Sequence, residues 1–161
     1  MHAVTRTIAA LVAIIVAAGP PLAAVGKNKA EYVGGTISSV REEAEGELDT
    51  STESQLVFTP QRGKGPSVMI PYSSITSLEY GQKAGRRVGA AILVSPLLLF
   101  SKKRKHFFTI AFTDKEGKDQ AIVLELGKDI VRTTLTIVET RSGKQIEYQD
   151  EEARKAGRGG N

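Results

Sequence analysis

From about residue 32 onward, apolar and polar positions alternate in short runs, each closed by glycine, proline or a charged cluster. This is the pattern of strands joined by tight turns. Residues 32–40 read as a first strand, in which Gly34-Gly35 marks a bulge or a close backbone approach. Residues 41–46 read as a charged turn and 47–51 as a second, exposed strand. A short apolar run at 55–59 stops at Pro60, and a Gly- and Lys-rich loop fills 61–66. Residues 68–70 and 75–80 follow as strands, separated by Pro71-Tyr72-Ser73-Ser74. The clearest hairpin comes next. Phe108, Ile110 and Phe112 share one strand face, as do Ile122, Leu124 and Leu126, and Asp114 to Asp119 form the turn, with Gly117 free to take a positive φ.

Residues 128–142 carry two signals. Ile130, Val131, Thr133, Thr134, Thr136, Ile137, Val138 and Thr140 are β-branched and lean towards strand. Val131, Leu135 and Val138, however, lie on one helical stripe, with Asp129 before it, Arg141 in the last turn and Gly143 just beyond. The ends favour helix. Residues 145–149 make a last short strand, and the polar stretch 150–161 is expected to be a disordered tail.

The opening residues follow a different pattern. Arg6 precedes an almost wholly apolar run from Thr7 to Ala18, which Gly19-Pro20-Pro21 ends, and small residues follow at Ala23, Ala24 and Gly26. That order is a secretory signal at 1–26, with cleavage just after Ala24 or Gly26. The expectation is an exported protein, periplasmic or secreted and peripheral to a membrane. Its single β-rich domain would occupy 27–149 and carry an apolar insertion at 81–105.

Composition narrows the chemistry. The chain contains no cysteine, so disulfides, zinc thiolate sites and cysteine nucleophiles are excluded. The net charge of +4 is too small to name a partner. His106 is the one histidine after His2, and it reads as a cap on the basic turn before a strand. No Gly-x-Ser-x-Gly phrase, phosphate-binding loop or EF-hand spacing occurs, so an enzyme, a cofactor and a metal centre are not expected.

Leu56-Val57-Phe58, then Met69-Ile70-Pro71-Tyr72 with Ile75 and Leu78, then the hairpin at 107–126 and the helix around 130–138 appear in a telling order. This order resembles the bacterial pleckstrin-homology-like domains, including the GRAM-like group, over roughly residues 32–140. The resemblance implies a mainly β fold with one C-terminal helix: a partly open barrel, or two orthogonal antiparallel sheets with the helix plugging one end. It implies a binding role, for lipid headgroups or proteins, without catalysis. Two departures stand out. The loop at 41–46 is mostly acidic, where lipid-binding members carry bases, and the segment at 81–105 is longer than a plain strand connection.

That segment supplies the candidate site. Residues 88–100 carry no charge, and Arg86, Arg87 stand before them and Lys102, Lys103, Arg104, Lys105 after. As a helix the run would be about 20 Å long against about 30 Å of hydrocarbon, so it cannot span a bilayer. With Leu98, Leu99 and Phe100 between the two basic flanks, it suits contact with an anionic lipid surface or an envelope protein. Alternatively, Ile92, Leu93 and the residues at 97–100 pack on the domain's own sheet while the bases face water. Gly81, Gly85 and Gly89 offer a smooth face, and with it a second function: a protein-interaction or assembly module that needs no lipid. Nucleic acid is not an expected partner, since Phe108 belongs to the strand core and exported proteins seldom meet it. The exported form is expected to begin within a few residues of Val25. Mass spectrometry of the secreted fraction checks this, and retention of residues 1–18 would replace the cleaved signal with an anchor.

Overall fold

The computed structural model describes residues 28–82 and 105–159. The chain forms β1 (Asn28–Gly35), β2 (Ala44–Asp49), β3 (Gln55–Pro60) and β4 (Val68–Pro71), then a 3-10 turn (Tyr72–Ser74). It continues with β5 (Ile75–Gly81), β6 (Phe107–Thr113), β7 (Asp119–Leu126), α1 (Val131–Ser142), β8 (Ile146–Tyr148) and α2 (Glu151–Arg158). The described strands make one sheet in the order β4-β3-β2-β1-β7-β6-β5-β8. It curls into a half-barrel whose concave face holds the core. Every neighbouring pair is antiparallel except β5 and β8, where Leu78 to Tyr80 run parallel to Ile146 to Tyr148. The fold is therefore mainly β, as expected, but its strands form one continuous curled sheet.

β1 joins the two halves of this sheet. Its first residues pair with β2 and its last with β7, and the register slips between Tyr32 and Gly34. The slip is a bulge, with two residues of β1 opposing one of β7. It turns Gly35 inward opposite Ile122, at a φ of 144°. A Cβ at Gly35 would sit 2.3 Å from the Ala121 carbonyl oxygen, so only glycine fits.

Two strands begin elsewhere than the sequence pattern predicts. The first spans 28–35, not 32–40, and the second starts at Ala44, inside the stretch read as a charged turn. Glu43 turns the chain into β2 with a φ of 58°. From there Ala44, Gly46 and Leu48 face inward while Glu45 and Glu47 face out. Two of the three inward residues are small, so the acidic residues dominate the local composition and hide the two-residue period.

The ambiguous segment is a helix. Val131, Thr134, Leu135 and Val138 are buried against the core, and Gly143 ends α1 at a φ of 67° with its N–H donating to Glu139 O. Asp129 does not cap the other end, because Ile130 occupies the N-cap position without a side-chain bond. Arg141 ties the helix to the strands. Its Nη1 donates to the carbonyls of Thr50 at 2.5 Å and Thr52 at 2.7 Å, and the guanidinium lies over the Tyr72 ring.

The expected disordered tail is largely ordered. Asp150 caps α2 by accepting from the Ala153 N–H at 2.7 Å, Glu151 and Glu152 occupy the first turn, and Lys155 and Arg158 the last. Ala153 and Gly157 are buried, and a Cβ at Gly157 would come within 2.8 Å of the Tyr148 ring and 3.0 Å of Leu135. A helix with only small buried residues looks fully polar in composition, and close packing holds it all the same.

The helix α1 yields a paired test. Leu135→Asp places an unpaired charge in the core and is expected to cost about 3 kcal/mol or more, whereas Thr136→Asp on the exposed side changes stability by less than about 0.5 kcal/mol. Thermal melts compare the two, and equal small shifts would show that α1 is not docked as described.

Candidate functional site

On the convex face, alternation along β7, β1, β2 and β3 sets two outward rows. Glu125, Glu31, Glu45 and Gln61 form one, and Gly127, Lys29, Glu47 and Thr59 the other. Between them runs a groove of about 460 Å³, whose floor is the backbone at Leu126, Ala30, Gly46 and Pro60. Glu31 stands directly opposite a glutamate on each side, Glu125 on β7 and Glu45 on β2. Like charges in that position are destabilising. Two neighbours relieve the row at its ends. Lys105 Nζ lies 2.6 Å from Glu125 Oε2, and Gln61 Nε2 donates to Glu45 Oε2 at 3.1 Å. Burial first, and then the Glu125 carboxylate, push the Glu31 carboxyl above its ordinary range, against the pull of the Lys105 ammonium. The Lys105 pKa is itself raised, chiefly by the hydrogen bond to Glu125. The groove therefore favours cations and disfavours anions. Among the described residues no three carboxylate or imidazole groups come together closely enough to hold a metal ion.

A second constellation lies at the end of β5 and the start of β6. The Tyr80 hydroxyl is 2.5 Å from His106 Nδ1, their rings stack with centroids 6.2 Å apart, and Tyr148 meets Tyr80 edge-on. Burial raises the Tyr80 hydroxyl to about 12, so it stays protonated, and burial likewise holds the His106 imidazole below its ordinary value. The two side chains share one hydrogen bond between the tyrosine hydroxyl and Nδ1. Instead of simply capping a turn, His106 anchors the strand start to the core. Strand register brings this pair together: Tyr80 of β5 pairs with Phe108 of β6, which leaves His106 on the adjacent diagonal.

Of the predicted contact residues, Arg86, Arg87, Leu98, Leu99, Phe100, Lys102, Lys103 and Arg104 lie outside the described residues. So do residues 1–27 and with them the expected signal. Lys105 is described, and its ammonium is engaged with Glu125 at the root of the segment. Both ends of the segment are also fixed, because Gly81 on β5 pairs with Phe107 on β6. The acidic row and the Tyr80–His106 pair were not anticipated as sites. The first was concealed by reading 41–46 as a turn, and the second joins residues far apart in the chain. In comparisons with known proteins, no family model matches the chain and no curated protein does so at a significant level.

The two shifted groups have opposite effects on stability against pH. The His106 pKa is depressed by folding, so its contribution is present above the unfolded value of 6.5 and is lost as pH falls through the folded value. The Glu31 pKa is raised, so its contribution is full below the unfolded value of 4.5 and is lost as pH rises through the folded value. Denaturant melts are expected to show stability falling as pH drops from 7 towards 5 in the native chain, with a shallower fall in His106→Gln. Glu31→Gln is expected to raise stability at pH 7, and a decrease there would show that the carboxylate is favourably engaged.

Proposed function

We propose that this chain is a non-enzymatic, envelope-associated binding domain of the pleckstrin-homology-like kind. In this reading it is exported through its N-terminal signal and contacts an anionic membrane surface through the basic flanks of residues 81–105. Segregation of charge is the observation that carries the reading. Arg86, Arg87, Lys102, Lys103 and Arg104 belong to the one stretch of sequence between β5 and β6, whose paired ends are adjacent, whereas the neighbouring convex face presents Glu125, Glu31 and Glu45 in a row. An anionic surface is repelled by the acidic row and attracted by these bases, so orientation follows from the charge pattern. The domain class is supported by two antiparallel meanders, β1 to β4 and β5 to β7, joined through the β1–β7 pair into one curled sheet and followed by a helix buried against its concave core.

Each base near an anionic surface contributes on the order of 1 kcal/mol, weakened by salt. Replacing Lys102, Lys103 and Arg104 together with Ser is expected to reduce affinity for anionic vesicles by more than about tenfold, from three such contributions. Lys105 is kept in this variant because its bond to Glu125 supports the fold, so the melting temperature should hold. Co-sedimentation with anionic and neutral vesicles at low and high salt is the measurement. A stable native protein that ignores anionic vesicles at low salt ends the membrane reading.

A further inference from the structure

The sheet ends at β4, whose one strand neighbour among the described residues is β3. The Tyr72 N–H donates to the Ser54 carbonyl at 3.0 Å, and this bond sets the phase of the β3–β4 ladder. Counting back in steps of two, Ile70 and Val68 turn their main-chain groups to β3, whereas Pro71, Met69 and Ser67 turn theirs to the open edge. Among the described residues, no other element bonds the Met69 main chain. The Met69 side chain stands on the outward face next to Val57 and is 60% exposed, the one large apolar side chain so open among the described residues. Edge strands are ordinarily guarded by charge, yet residues 65–78 carry none.

We propose that this edge is the contact of a homodimer, in which the β4 strands of two copies pair antiparallel about a two-fold axis at Met69. The donor and acceptor pattern is self-complementary. The Met69 N–H and C=O meet the same groups of the second copy, and on either side a Ser67 N–H meets a Pro71 carbonyl. That carbonyl already accepts from Ser74 Oγ at 2.8 Å, and its second lone pair is open to the new donor. The missing N–H of Pro71 leaves only the facing Ser67 carbonyl unpaired, at the end of the contact where water reaches it. Pro66 and Pro71 also bound the pairing, so it stops after a few residues. On the outward face the two Met69 side chains stand opposite each other between the two copies of Val57, closing an apolar strip that each monomer leaves open. A second copy is the occupant these features select. The edge offers no charge for an oppositely charged strand, and its own sequence supplies both the matching bonds and the matching side chain. So short a contact makes a weak, reversible dimer. The dimer needs no lipid and uses no residue between β5 and β6, so it stands apart from the membrane reading.

In analytical ultracentrifugation, the lipid-free protein is expected to shift from monomer to dimer as its concentration rises to about 1 mM, the range of a small contact. Met69→Lys and Met69→Glu each set like charges opposite one another at the axis and are expected to weaken self-association at least about tenfold. Both variants keep the native melting temperature, because the side chain replaced is exposed. An equimolar mixture of the two is expected to restore the dimer, since opposite charges then face each other at position 69. The chain has no cysteine, so Met69→Cys tests the register directly. Residues in such a hydrogen-bonded pair have Cα atoms about 5.5 Å apart, within the usual disulfide range. Under mild oxidation, Met69→Cys is expected to form a covalent dimer at least about tenfold faster than Lys115→Cys in the exposed β6–β7 turn. A native chain that stays monomeric at about 1 mM would overturn the proposal. So would a dimer that survives Met69→Lys at full strength, or charge variants that stay apart when mixed.

Discussion

The architecture depends on β1 being able to serve two halves of one sheet. A strand paired on both sides has no free backbone to adjust, and bending it demands that the ladder be broken somewhere. The break lies between Tyr32 and Gly34, and it brings Gly35 so close to the Ala121 carbonyl that a side chain is impossible. Thr36 then closes the seam, its Oγ1 donating to the Gln120 side chain and accepting from the Ala121 N–H. Upstream of the bulge β1 follows the ordinary alternation, which turns Lys29 and Glu31 outward into the groove and Tyr32 inward; after it Gly35 faces inward opposite Ile122, a position that strict alternation from Tyr32 would have turned outward.

With no disulfide to brace the sheet, its open edges are held by groups that bridge separate parts of the chain. Arg141 bonds the carbonyls of Thr50 and Thr52 and stacks on Tyr72, linking α1 to the β2–β3 connection and the 3-10 turn at once. A charge-assisted bond to two carbonyls is stronger than a neutral one, and the ring supplies a low-polarity wall on one side. At the other edge β8 extends the sheet in parallel beside β5, and α2 folds back over Tyr80 and Tyr148.

Much of this was legible from residue pattern alone. The hairpin of β6 and β7 follows from Phe108, Ile110, Phe112 and Ile122, Leu124, Leu126, because large apolar residues at a strict two-residue period have one economical solution. Gly34-Gly35 marked the bulge for a similar reason. The start of β2 was obscured because its inward positions at Ala44 and Gly46 are too small to register as apolar. Helix α2 was missed although Asp150, the two glutamates after it and the bases at its end form a full set of terminal signals. Polar composition outweighed them, since the residues it buries, Ala153 and Gly157, carry almost no hydrophobic surface. The acidic row could not be read without register: Glu31, Glu45 and Glu125 become neighbours only once β2 and β7 are known to flank β1.

Those omissions bear on the candidate site. The segment at 81–105 leaves from β5, the strand that would have been an outer edge without β8. Because α2 packs on Tyr148 and Tyr80, and Tyr80 bonds His106, the C-terminal stretch reaches through two aromatic rings to the residue that follows Lys105. Lys105 in turn is fixed to Glu125, the first member of the acidic row. The root of the segment is therefore held by a chain of contacts running from α2 to β7, each a short-range interaction with defined geometry. The polar C-terminal helix thus helps to fix His106 and the neighbouring Lys105 from a distance, through the strand it braces.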